Sequence, residues 1–75
     1  MITIEVRYFA TLRSKGIKKE TIEVSDESTT SKLLEKLNIK KEDVAILLVN
    51  GIIQTSDIKL KDKDIVSLFP PVGGG

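Results

Sequence analysis

The 75-residue chain contains no cysteine and no histidine. The first absence removes disulfides, thiol nucleophiles, iron–sulfur ligation and every Cys/His zinc pattern. The second removes the usual general base near neutral pH. Small domains commonly lean on disulfides or metals, so packing and backbone hydrogen bonds must hold this one together. The lack of cysteine also fits a reducing interior. An excess of one charge is missing too, since 12 basic and 11 acidic side chains leave a net charge of +1. A nucleic-acid-binding domain shows a basic excess or a basic stripe. Here the signs interleave, as in KDKD (Lys61–Asp64) and KKED (Lys40–Asp43), which reads as a solvated mixed-sign surface. Met1 leads into ITIEVRYF, with no basic leader and no long apolar run. Neither a signal peptide nor a membrane span is expected. The expected location is cytoplasmic, with no membrane and no nucleic-acid partner.

A chain of this length makes one domain with a marginal core, burying little more than half of its unfolded surface. A sheet and a helix fit, but a deep catalytic cavity does not. The first segment alternates with period two: Ile2, Ile4, Val6 and Tyr8 fall on one face, and Thr3, Glu5, Arg7 and Phe9 on the other. That pattern predicts a half-buried strand with the even face in the core. Phe9 is the exception, an aromatic at the end of the polar face. Ala10 to Gly16 reads as a turn or one short helical turn, and KETIEV as a second strand pairing antiparallel with the first. SDESTT is dense in helix-capping residues. It precedes SKLLEKL, whose Leu33, Leu34 and Leu37 form one apolar stripe, with Asn38 as the stop.

VAILLVNGIIQ predicts a hairpin. Val44 to Val49 are all apolar, and Asn50-Gly51 suits a type I′ turn, in which both central residues need positive φ. Alternation cannot say which face of that run is buried. DIKLKDKD reads as a polar connection with Leu60 tucked under. In the last strand, IVSLF, Val66 and Leu68 face inward while Ile65, Ser67 and Phe69 face outward. Pro70 and Pro71 end it, because proline cannot donate to a ladder. The expected core is Ile2, Ile4, Val6, Ile22, Val24, Leu33, Leu37, Val66 and Leu68. The expected fold class is an α+β roll of the β-grasp type, a mixed sheet with one helix across it and the last strand parallel to the first. Residues 1–69 form the domain and 70–75 an extended tail.

Few residues are candidates for chemistry. Glu42, Asp43, Asp62 and Asp64 carry no supporting pattern for a metal or acid/base site and read as solvated turns. Phe9 and Phe69 are brought to one face by the parallel pairing, and Ile53 joins them there. They either pack under a loop or form a partner-binding patch, with Arg13 beside it to receive that partner. The ending, LFPPVGGG, also has two readings. Three glycines are either a frayed terminus or a segment shaped to lie extended in a slot too narrow for side chains. In the second reading Pro70 and Pro71 stiffen the root, Gly73 and Gly74 thread the slot, and the reactive group is the α-carboxylate of Gly75.

RYFATLR (7–13), VNG (49–51), LKDKDIV (60–66) and LFPPVGGG (68–75) together resemble the molybdopterin synthase small-subunit family (MoaD), ubiquitin-like sulfur carriers of the MoaD/ThiS superfamily. The aromatic-Pro-Pro-Val ending is the most specific part. The resemblance implies that the carrier binds no cofactor and does not catalyse alone. A ubiquitin-activating-type enzyme (MoeB-like) would use ATP and magnesium to adenylate Gly75. Sulfur transfer would then leave a C-terminal thiocarboxylate. The tail would enter the synthase large subunit (MoaE-like) and donate sulfur to the pterin precursor in molybdenum or tungsten cofactor biosynthesis. Phe9, Ile53 and Phe69 match apolar partner-facing positions of the family, and Arg13 matches a family arginine. Lys63 is a departure, standing where the family often has glycine. Three alternatives share much of the same sequence: a modifier joined through Gly75 to lysines, a thiamin-pathway carrier of the ThiS type, and a non-reactive interaction domain.

Overall fold

Alternation in the first nine residues does produce a strand. In the computed structural model, which describes residues 1–9 and 18–71, β1 is Ile2–Tyr8, with Ile4 and Val6 fully buried and Tyr8 nearly so. β2 (Lys19–Val24) lies antiparallel to it, placing Ile22 opposite Ile4 and Val24 opposite Ile2. The β-branched pairs suit the pleat, and Val24 is buried. On the other side of β1 lies β5 (Ile65–Phe69), parallel to it as expected, with Val66 beside Val6 and Leu68 beside Tyr8. β3 (Ile46–Val49) pairs antiparallel with β5, and β4 (Ile52–Ile53) with β3, so the strand order is β2-β1-β5-β3-β4.

The helix α1 spans Thr30–Lys36, beginning one residue before SKLLEKL. Two groups fix its start. Thr29 accepts from the Lys32 amide (3.3 Å), and the Asp57 carboxylate accepts from the Ser31 amide (2.7 Å) and the Thr30 hydroxyl (2.8 Å). Asp57 lies 26 residues along the chain from Ser31, so the local capping pattern did not reveal it. Asn38 ends the helix in a left-handed conformation (φ 59°), the role glycine more often fills. Leu33 and Leu34 bury their side chains in the same core as Ile4, Val6, Leu60, Val66 and Leu68. Seven residues of helix would not persist alone, so this packing holds them.

Six of the nine expected core residues are buried, while Ile2, Ile22 and Leu37 are half-buried and packed against the core edge. Leu37 caps the helix rather than filling its last turn. β3 starts at Ile46, not at Val44, because a single 3-10 turn (Lys41–Asp43) already uses the Val44 amide, which donates to the Lys41 carbonyl. Two polar residues depart from expectation. Ser67 faces outward but is buried, its short side chain standing between the positions of Arg7 and Leu48 on the flanking strands. Asp64 is not part of a solvated turn. It is buried, accepting from the Lys61 amide (2.8 Å) and the Asn50 side chain (2.9 Å). The exposed Asp62 accepts from the Thr3 amide (2.8 Å). These carboxylates therefore hold backbone, and no cluster of three or more metal-ligating side chains occurs among the described residues. No helix among them is long and apolar enough to cross a membrane.

Candidate functional site on the open sheet face

Successive side chains of a strand point to opposite faces, so the inward set fixes the outward one. In β5, Val66 and Leu68 are buried inward, which sends Ile65, Ser67 and Phe69 to the face away from the helix. Directly paired residues share a face. Phe69 is opposite Ile46, Ser67 is opposite Leu48, and Leu48 is opposite Ile53. On the other flank, Arg7 is opposite Ser67, and the alternation continues past the end of β1 to Phe9. The Phe9 amide donates to the Leu68 carbonyl (3.2 Å), extending the ladder by one bond. That bond sets the two phenylalanines side by side, with ring centroids 4.2 Å apart and planes 10° from parallel. Stacking adds about 0.5–1.5 kcal/mol beyond area burial.

The open face is thus divided. Over β5, β3 and β4, and at Phe9 just past β1, it is apolar apart from the buried Ser67: Phe9, Phe69, Ile46, Leu48 and Ile53, with Ile46 44% and Ile53 60% exposed. Over β1 and β2 it is polar, carrying Thr3, Glu5, Arg7, Lys19, Thr21 and Glu23, with the Arg7 guanidinium paired to the Glu5 carboxylate. The apolar half is the candidate interaction surface. On the opposite, core-facing side of β1, the Tyr8 hydroxyl donates to the Glu20 carboxylate (2.6 Å). Burial, then that bond, pushes the Tyr8 phenol above its ordinary pKa, so it stays neutral.

The chain leaves the sheet beside the aromatic pair. The Ala45 amide donates to the Phe69 carbonyl (2.8 Å). Pro70 and Pro71 then follow with no amide proton to offer, Pro70 half-buried and Pro71 exposed. The expected partner residues Phe9, Ile53 and Phe69 are therefore on one face, the phenylalanines in contact and Ile53 two strands away at the sheet edge. Ile46 and Leu48 bridge the gap, and the sequence reading missed them. The signal was present: once Asn50-Gly51 sets a two-residue turn, an outward Ile53 forces Leu48 and Ile46 outward as well. Arg13, Gly73, Gly74 and Gly75 lie outside the described residues.

The comparisons with known proteins fit this arrangement. The model of the ThiS family matches residues 6–75. The chain belongs to the ThiS family. It is thereby a ubiquitin-like protein of the sulfur-carrier and modifier type, a carrier or subunit rather than a catalyst. A putative molybdopterin converting factor, subunit 1, from Pyrococcus furiosus is 31% identical, with a TM-score of 0.74, over 96% of this chain and 100% of that one. A chain in a protein–protein complex of subunits 1 and 2 of molybdopterin-converting factor from Helicobacter pylori is similar at 29% identity and a TM-score of 0.69, over 99% of this chain and 100% of that one. The H. volcanii small archaeal modifier protein 1 shares the fold, with a TM-score of 0.80 at 20% identity over 96% of this chain and 100% of that one. The fold is the β-grasp. A sequence search of curated proteins returns no match.

Proposed function

We propose that this ThiS-family chain is the sulfur-carrying small subunit of a molybdopterin synthase. The observation that carries the proposal is the stacked Phe9–Phe69 pair on an open apolar face at the root of the C-terminal segment. The apolar face docks the carrier on its partners, a MoaE-like large subunit and a MoeB-like adenylating enzyme, and Arg13 adds a charge to the receiving surface. Pro70 and Pro71 hold the root of the tail extended. Fully extended, the segment from Pro70 to Gly75 would span at most ~20 Å, at about 3.3–3.6 Å per residue, far enough to enter a partner's active site. Glycines at 73–75 leave the extended backbone without side chains, so it fits a narrow channel.

The chemistry resides at Gly75. Its α-carboxylate attacks the α-phosphorus of magnesium-bound ATP on the activating enzyme, expelling pyrophosphate and leaving an acyl-adenylate. A donor of sulfide-level sulfur then attacks the acyl carbon, so that a C–S bond forms as the C–O bond to AMP breaks, and the thiocarboxylate remains. In the large subunit the thiocarboxylate sulfur bonds to the pterin precursor, and water cleaves the acyl C–S bond and restores the Gly75 carboxylate. The Helicobacter pylori neighbour, described as a complex of subunits 1 and 2, supports the choice of a large-subunit partner, as does the Phe-Pro-Pro-Val ending. Mass spectrometry of the chain from cells with intact cofactor synthesis tests the proposal. A sulfur-for-oxygen mass increase at Gly75 is expected. Lysine-linked conjugates without it would make the chain a modifier instead, and an unmodified terminus would make it an inert interaction domain.

A further inference from the structure

The Asn50-Gly51 turn joins β3 to β4, with φ of 53° and 82°. It does more than reverse the chain. The Asn50 amide donates to the Ile65 carbonyl (2.8 Å), and the Ile65 amide donates back to the Asn50 side-chain oxygen (2.9 Å). The Asn50 side-chain nitrogen donates to Asp64 Oδ1 (2.9 Å). Both ends of the carboxamide are therefore engaged, and the turn is tied to the residues that start β5. Asp64 is only 8% exposed, and its other oxygen accepts from the Lys61 amide (2.8 Å).

Asparagine before glycine is the most labile amide pairing in a protein chain, because no side chain hinders the glycine nitrogen as it approaches the asparagine carbonyl carbon. We infer that Asn50 is a latent deamidation site, kept closed in the folded carrier by the grip of Asp64 and Ile65 on its side chain. When the grip opens, the Gly51 nitrogen gives up its proton to water and bonds to Asn50 Cγ, the Cγ–Nδ2 bond breaks, and the departing NH2 takes up a proton from water and leaves as ammonia. Water then opens the succinimide at either carbonyl to give aspartate or isoaspartate. Neither product restores the tie. Aspartate sets a carboxylate oxygen where an amide donor had been, 2.9 Å from the buried Asp64 carboxylate, and like charges so close repel. Isoaspartate lengthens the backbone by one carbon and removes the geometry of the type I′ turn. The hairpin carries Leu48 and Ile53 of the open face, so the damage falls on the candidate partner surface.

The test uses the whole chain at neutral pH, following the mass gain of amide-to-acid conversion and isoaspartate content at the peptide containing Asn50. Deamidation requires the open form, so its rate follows the population of that form. The native chain should deamidate about tenfold or more slowly than the same chain in denaturing urea, and a folded Asp64→Ala variant about tenfold faster than wild type, the loss of one charge-assisted bond. A native rate within about twofold of the denatured rate would overturn the inference. So would a folded Asp64→Ala variant no faster than wild type, or an Asn50→Asp chain as stable as wild type by urea midpoint. If Asp64→Ala does not fold, the wild-type comparison alone decides.

Discussion

Lys63 is the residue most at odds with its place. It has φ 69° in the turn before β5, a left-handed conformation that crowds a Cβ atom. The sequence resemblance singles Lys63 out as a departure from the expected pattern. The turn is needed because the Lys63 amide donates to the Thr3 carbonyl (2.7 Å) while Asp62 accepts from the Thr3 amide (2.8 Å), fastening it to the start of β1. Lys63→Gly relieves the crowding but adds backbone entropy to the unfolded chain, for a net stabilisation of about 0.5–1 kcal/mol. Chemical denaturation should show a higher midpoint with an unchanged slope. Asp57 is a second residue whose role is not local. Its pKa falls from 3.8 to about 2, chiefly through the Ser31 amide and then the Thr30 hydroxyl. A carboxyl group depressed in the folded state stabilises above its unfolded pKa and loses that contribution as pH falls. The gap in melting temperature between wild type and Asp57→Asn should therefore be full above pH 3.8 and narrow as pH drops toward about 2. A gap independent of pH would mean that the charge of Asp57 does not cap the helix.

Among the elements, strands were the most legible. Period two fixed the inward set of β1, and a capping cluster before a leucine stripe located α1 to within one residue. β3 was only half legible. Its run is apolar throughout because both faces need apolar residues: Leu47 and Val49 pack toward the core, while Ile46 and Leu48 continue the open face. Alternation fails wherever a strand serves both a core and an interface. Long-range ties were not legible at all, since Asp57 to Ser31 and Asn50 to Asp64 join residues with no local pattern between them. The two faces of β5 give a direct contrast. Leu68 is fully buried, so Leu68→Ala should cost roughly 2–5 kcal/mol of stability. Phe69→Ala removes a ring that is only half-buried and should cost less, losing the stack (about 0.5–1.5 kcal/mol) together with the burial of part of the ring. In partner binding the order reverses: Phe69→Ala should weaken affinity roughly thirtyfold, the effect of losing a ~2 kcal/mol anchor. Unfolding midpoints and titration of the large subunit give both numbers. A Phe69→Ala protein that loses as much stability as Leu68→Ala while binding normally would make Phe69 a core residue.

At the scale of the molecule, the sheet places its first and last strands side by side in parallel. That pairing stacks Phe9 on Phe69 and delivers the C-terminal segment from the edge of an apolar surface. A small domain with a divided face and a side-chain-free end is suited to be held by one part while another part reacts. β5 ends at Phe69, and Pro70 and Pro71 follow it directly. The central claim is that the end of the chain is its reactive arm, and the most direct measurement is ATP-dependent thiocarboxylate formation at Gly75 with the cognate activating enzyme. Deleting Gly75 shortens the reach by about 3.3–3.6 Å, well beyond the ~1 Å misplacement that can cost a hundredfold in rate. Gly74→Ile puts a branched side chain into the channel. Both variants should fold and bind partners through the Phe9/Phe69 surface, yet form thiocarboxylate at least about a hundredfold more slowly than wild type. If both are thiocarboxylated at the wild-type rate, the C-terminal segment is a passive extension and the account is wrong.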